Sequence, residues 1–133
     1  MILLDTNICI YIINAKPPAV LKRFRQYRMG DIGLCSVVAA ELAFGVAKSD
    51  SARNRQALEM FLAPLIILPF DTAAAWVYGD LRADLERRGT PIGSLDTMIA
   101  AHALSQQALL ISNNTREFSK VPDLQLDNWA AAA

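Results

Sequence analysis

Four short apolar runs, each closed by a polar or turn-forming residue and each followed by a helix-patterned segment or a polar loop, constrain this chain most. Ile2-Leu3-Leu4 stops at Asp5, and Asp31-Ile32-Gly33-Leu34-Cys35 stops at Ser36. Leu65-Ile66-Ile67-Leu68 is closed by Pro69, and Ala108-Leu109-Leu110-Ile111 runs into the polar loop Ser112-Asn113-Asn114-Thr115-Arg116. Continuous apolar runs of this length, without polar alternation, predict strands buried on both faces. Strands that alternate with helices predict an α/β class: a three-layer α/β/α structure on a mainly parallel sheet of four to five strands, with right-handed crossovers. Leu124 to Leu126 supplies the fifth strand, at an edge.

The intervening segments carry helix signals. Pro17-Pro18 opens a helix through Val20, Leu21, Phe24 and Tyr27, and Gly30 is expected to stop it. Ser36 is a good N-cap for a helix carrying Glu41 to about Lys48; a further helix spans roughly Ser51 to Leu62. Asp71 caps a long helix to Arg88, ended by Gly89, and Ser94 is expected to cap the helix that holds Asp96.

A length of 133 residues suits one domain, read as 1–129. The terminal Ala130 to Ala133 reads as a frayed tail or one foreign to the natural sequence. The chain is 53% hydrophobic and 20% charged, rich enough in apolar side chains to expect that some apolar surface is covered by a partner. Its longest apolar run, Leu62 to Phe70, is broken by Pro64 and Pro69, well short of the roughly 20 residues that cross a bilayer. No basic leader with an apolar stretch follows Met1, so a cytoplasmic location is expected. Thirteen basic against 13 acidic residues exclude a protein that coats nucleic acid by bulk attraction, so any such contact must be local. Cys9 and Cys35, apolar-flanked and in no zinc spacing, read as buried thiols.

Against that apolar background three carboxylates stand out. Asp5 ends the first strand, where ligands collect in open α/β sheets, although it also suits an N-cap. Glu41 shares a helix face with Val37, Val38, Phe44 and Gly45, which reads as a core-facing stripe. Asp96 lies in the first turn of its helix, on the face of Ile99, Ala100 and Ala103; the helix dipole alone would account for about 0.3 to 1 kcal/mol of its stability there. An ionised carboxylate in such surroundings needs a partner, and no Lys or Arg adjoins any of the three. Convergence around a divalent metal is the economical expectation, and hard oxygen ligands point to Mg²⁺ or Mn²⁺.

Other features take ordinary readings. His102, the lone histidine, has no second nitrogen ligand nearby and reads as a surface or hydrogen-bonded group. Trp76 and Tyr78 read as helix packing or an oligomer surface rather than a base-stacking platform. Lys16, Lys22, Arg23, Arg25 and Arg28, and a second group of Arg82, Arg87 and Arg88, read as solvated helix faces that would touch a phosphate backbone only if they rimmed the acids.

Asp5-Thr6-Asn7 after the first strand, the helical Glu41, Pro91-Ile92-Gly93-Ser94-Leu95-Asp96-Thr97-Met98-Ile99-Ala100 and Ser112-Asn113-Asn114-Thr115-Arg116-Glu117-Phe118 together resemble the PIN-domain ribonucleases. More narrowly they are similar to the VapC toxins of bacterial type II toxin-antitoxin pairs, from Ile2 to about Trp129. The resemblance implies a Mg²⁺- or Mn²⁺-dependent endoribonuclease, held silent by a VapB-type antitoxin and dimeric. It implies Asp5, Glu41 and Asp96 as acidic ligands, with Thr6 fixing a ligand or a water. The fourth acidic position of many members falls on Asn114, a departure that leaves Asn114 as a supporting group and Glu117 as the nearby substitute acid. It further implies structured RNA as substrate, tRNA above all, with the anticodon region of the initiator tRNA suggested by the enteric-type members.

Two rivals stand beside this reading. A receiver-like phosphoacceptor domain would use Asp71 after the third strand, and lacks a late lysine in the right place. A dimeric, non-enzymatic interaction module would use the acids to hold a basic partner tail.

Overall fold

The computed structural model describes residues 1–131, so Ala132 and Ala133 of the expected tail lie outside the described residues. Five parallel strands form one sheet: β1 (Ile2–Leu4), β2 (Ile32–Cys35), β3 (Ile66–Leu68), β4 (Leu109–Ile111) and β5 (Gln125–Asp127), in the order β3-β2-β1-β4-β5. The helices are α1 (Thr6–Asn14), α2 (Pro18–Phe24), α3 (Ser36–Ser49), α4 (Ala52–Leu62), α5 (Thr72–Arg87), α6 (Ser94–Ser105) and the short α7 (Thr115–Phe118). This is the three-layer α/β class that the alternating pattern predicts.

The strand order fixes where chemistry can occur. The chain steps from β1 outward through β2 to β3, then returns to the other side of β1 for β4 and β5. The direction reverses between β1 and β4, and loops leaving adjacent strands on opposite courses open a crevice at their carboxyl ends. Register aligns those ends: Leu4 pairs with Ile111, and the Asp5 amide donates to the Ile111 carbonyl at 2.9 Å.

The core explains why short strands suffice. Leu3, Leu4, Ile32, Leu34, Leu110 and Ile111 are almost fully buried in the sheet, with Ile8, Val20, Val38, Leu85, Ile99 and Phe118 packed from the helices. Gly33 is required by close approach: a Cβ there would lie 2.5 Å from the Ile66 carbonyl oxygen on the next strand. Cys9 and Cys35 are buried free thiols, as read from the sequence, and burial pushes both pKa values up.

Several local expectations are corrected. β3 is an edge strand with Ile66 and Ile67 exposed, not a strand buried on both faces, because a continuous apolar run carries no signal of sheet position. α2 ends at Phe24, before Gly30, which sits in a 3-10 turn at Met29–Asp31. The α3 N-cap is Cys35, whose Sγ accepts from the Val37 amide, while Ser36 Oγ accepts from the Phe70 amide at 2.9 Å and ties the α3 start to the end of β3. Gly93 rather than Ser94 caps α6. The expected polar loop after β4 contains α7. Asp71 caps α5 as read, Ser51 caps α4, and Gly89, at φ +71°, follows α5.

His102 is a core residue with no exposure, tilted against Phe70, and neither ring nitrogen has a hydrogen-bond partner. A histidine among small alanines on a helix gives no sequence signal of depth. Of the basic residues, Arg23 pairs with Asp127 and lies over the Trp129 ring, Arg82 pairs with Glu86, and Arg88 with Asp84. These are the solvated faces expected of them. Among the described residues no helix is long and apolar enough to cross a membrane.

Candidate active site

Asp5 lies at the sheet's reversal point, N-capping α1 and only 5% exposed. Its Oδ1 accepts from the Thr6 amide at 2.8 Å and its Oδ2 from Ser112 Oγ at 2.7 Å. Capping and ligand duty were read as compatible, and the geometry permits both, since each carboxylate oxygen keeps further lone-pair capacity. Burial raises its pKa above the ordinary carboxylate value, against the two hydrogen bonds, and the charge of Glu41 adds to the rise.

Ser112 is the residue that motif reading passed over. Fully buried just past β4, it donates to Asp5 and accepts from the Asn114 amide at 2.9 Å. The available signal was its position: the first residue after the strand that flanks the reversal point.

Glu41 is half-buried, and Oε1 accepts from Thr6 Oγ1 at 2.8 Å. Its helix face is not the core stripe expected: Phe44 is 68% exposed and Gly45 is exposed, while Val38 and Leu42 are the residues of α3 turned into the core. The error is one of helix phase, since an apolar α3 offers two candidate stripes and the burying one lies one position away. Glu41 instead borders an open groove of about 300 Å³ between α1, α3 and α4, lined by Ile10, Ile13, Leu42, Gly45 and Leu58.

Asp96, on the first turn of α6, accepts on Oδ2 from Asn114 Nδ2 at 3.2 Å. Its pKa is pushed up to about 6, first by burial and then by the charges of Asp5, Glu41 and Glu117. That dependence brings the four acids into one electrostatic neighbourhood. Glu117 lies on α7 and is ion-paired with Lys120 at 3.0 Å.

Hydrogen bonds join Asp5 to Thr6 and Ser112, Thr6 to Glu41 and Asn114 to Asp96, while Glu117 is paired with Lys120. Asp5, Thr6, Glu41, Asp96, Asn114 and Glu117 arrive from the ends of β1 and β4 and the starts of α1, α6 and α7, with α3 crossing beside them. Among the described residues no three His, Cys, Asp or Glu side chains come together as a group that could hold a metal ion. A Mg²⁺ ion does not need three protein ligands, because it keeps several waters and binds through one or two carboxylates. Acidic side chains with donors from Thr6, Ser112 and Asn114 but no cation bonded to Asp5, Glu41 or Asp96, two of them with pKa values raised first by burial, suit a hard divalent ion held through one or two carboxylates.

The PIN domain family matches residues 2–124. A ribonuclease VapC2 of Rickettsia felis is 40% identical over 129 residues, covering 96% of this chain and 96% of that protein. A tRNA(fMet)-specific endonuclease VapC of Shigella flexneri is 42% identical over 129 residues, covering 96% and 97%. Among solved structures, VapBC2 from Rickettsia felis bound to a DNA fragment from its promoter superposes with a TM-score of 0.90 at 40% identity, over 97% of this chain and 99% of the other. DNA-bound VapBC from Salmonella typhimurium gives 0.89 at 38% identity, over 97% and 98%.

Proposed function

The chain belongs to the PIN-domain family and stands within it among the VapC ribonucleases, and from that premise we propose that it is a Mg²⁺- or Mn²⁺-dependent endoribonuclease toxin acting on tRNA in the cytoplasm. The observation that carries the proposal is the hydrogen-bonded set at the β1/β4 crevice, in which Ser112 meets Asp5, Thr6 meets Glu41 and Asn114 meets Asp96 with no cation bonded to the three acids; burial first, and then neighbouring acid charge, pushes Asp96 up to about 6.

Asp5 and Asp96 would hold the ion, with Glu41 completing the set. When bound, it would supply Lewis acidity, lowering the pKa of water and offsetting charge on the phosphate. The protein's own share is orientation. Ser112 and the Thr6 amide fix Asp5, Asn114 fixes Asp96, and Thr6 Oγ1 fixes Glu41 through Oε1. Glu41 Oε2 stays available to accept a proton from the attacking water. In-line attack on phosphorus and loss of the 3′ oxygen leaves 5′-phosphate and 3′-hydroxyl ends.

The tRNA(fMet) specificity named for the Shigella flexneri relative supports initiator tRNA as the substrate. Structured RNA of that kind is recognised by shape and splayed bases, which suits a chain with no net charge. The VapBC complexes among its structural neighbours support a VapB-type antitoxin as inhibitor. The groove beside Glu41 suits an apolar antitoxin segment with one basic side chain turned to that carboxylate. Trp76, 75% exposed on α5, offers an anchor for the second copy of a homodimer.

The receiver-like rival loses its acceptor. Asp71 caps α5 through the Ala74 amide and follows an edge strand, away from the reversal point. The interaction-module rival predicts neither metal uptake nor RNA scission. Incubating the purified chain with a tRNA pool and Mn²⁺, then sequencing the new RNA ends, should reveal one dominant cut. EDTA, Asp5→Ala and Asp96→Ala should each abolish it, and equal cutting by all samples would refute the assignment.

A further inference from the structure

Deepening the nuclease reading, and resting on it, we infer that the hydrogen bond between Tyr11 and Asn113 is a positioning latch, which fixes the 112–114 loop against α1 and so aims Ser112 and Asn114 at the two aspartates. Asn113 Nδ2 donates to Tyr11 Oη at 2.7 Å, across 102 positions of sequence, and both residues are half-buried. Asn113 is the middle member of a run that makes three successive contacts. Ser112 Oγ donates to Asp5 Oδ2 at 2.7 Å, and Asn114 Nδ2 to Asp96 Oδ2 at 3.2 Å.

Backbone bonds anchor this loop at its two ends. The Ser112 amide donates to the Asp127 carbonyl of β5 at 3.0 Å, and the Asn114 carbonyl accepts from the Phe118 amide at 3.1 Å as α7 begins. Between them Asn113 makes no backbone hydrogen bond among the described residues. Each residue carries two soft torsions, so rotation at Asn113 would swing Asn114 relative to Ser112. The side-chain bond to Tyr11 supplies the missing restraint.

The far end of the latch matters as much. Tyr11 packs against the core from α1, and its carbonyl accepts from the Lys16 amide at 3.0 Å where that helix ends. Asp5 caps the same helix, and Thr6, its first residue, donates to Glu41 Oε1 at 2.8 Å. The latch therefore ties the donors of the loop to the rigid element that carries Asp5 and Thr6. A tyrosine hydroxyl both donates and accepts, so the bond survives either orientation of the Asn113 amide. Among the described residues neither Tyr11 nor Asn113 bonds to an acidic side chain, so both act through Ser112 and Asn114 as positioning residues.

Tyr11→Phe deletes the hydroxyl and keeps the ring, and Asn113→Ala deletes the donor. Each should lower kcat for tRNA cleavage roughly 10- to 100-fold with KM changed less than about twofold, the signature of misplaced groups rather than of weakened RNA binding. The double variant should lose no more than the worse single variant, since both remove one bond. A second readout needs no cleavage. Hydrogen exchange followed by NMR should show the Asn114 amide, which is bonded to Ser112 Oγ, exchanging roughly 10-fold faster in Tyr11→Phe, while Leu34 in β2 exchanges as in the wild type. Wild-type kcat in either single variant, a change confined to KM, or losses that multiply in the double variant would overturn the inference and leave the nuclease reading standing. Unchanged Asn114 exchange would overturn the latch by itself. Wild-type protein that cuts no RNA would overturn the nuclease reading instead.

Discussion

Ser112 Oγ donates to Asp5 Oδ2 at 2.7 Å, joining residues 107 positions apart across the crevice between β1 and β4. The same hydroxyl accepts from the Asn114 amide, so one buried atom orients the groups that meet Asp5 and Asp96.

Removing that atom tests its importance. Ser112→Ala leaves a buried carboxylate short of one donor, which should cost about 1–3 kcal/mol in urea unfolding. RNA cleavage should fall roughly 10- to 100-fold, the usual range when a group supporting a metal ligand is lost. Ser112→Thr should restore most of both, and an unchanged rate for the alanine variant would deny the hydroxyl a role.

The acids set a pH dependence with a definite sign. Asp96 rises from 3.8 to about 6 on folding, so the folded state binds more protons between those values. Its contribution to stability is full below about pH 4 and is lost as pH rises through 6; Asp5, also raised, acts in the same sense. Asp96→Asn should therefore stabilise the metal-free protein at pH 7.5 by about 1 kcal/mol, discounted for the partial exposure of the site. That is roughly 3–5 °C in Tm, with little difference from wild type at pH 4. Thermal melts in EDTA at both pH values provide the check.

His102 carries the opposite slope. Burial lowers its pKa, so its contribution is full above the unfolded value of 6.5 and is lost as pH falls through the lower folded value. Its two unpartnered ring nitrogens are also a standing cost. His102→Leu should raise Tm at neutral pH and flatten the acid limb of the stability curve. A loss of more than about 2 kcal/mol on this substitution would mean that the ring makes a hydrogen bond essential to the core.

Gly33→Ala probes the sheet without touching the site. The added methyl would meet the Ile66 carbonyl at 2.5 Å, forcing β2 and β3 apart at a cost of about 1–3 kcal/mol. Chemical denaturation should show that loss. Cleavage per folded molecule should be preserved, because β3 lies two strands from the crevice.

The features legible in the sequence were those written in local pattern. Apolar runs closed by Asp5, Ser36 and Pro69 marked β1, β2 and β3, and the Asp71 cap was visible as a side chain. Acids stranded in apolar surroundings marked Asp5 and Asp96, because unpaired charge in such a segment is a local contradiction. Illegible features depended on what lay across space. The edge position of β3, the depth of His102 and the phase of α3 around Glu41 are decided by neighbours distant in sequence. Ser112 looked like any serine after a strand until β4 was known to lie beside β1.

The course of the sheet also sets a timetable for synthesis. Asp5 is made well before the strand that completes its surroundings and the hydroxyl that steadies it, which are added more than a hundred residues later. A chain still on the ribosome and short of Ser112 holds its acids without their framework. The framework of the crevice is therefore complete only once β4 and Ser112 have been made.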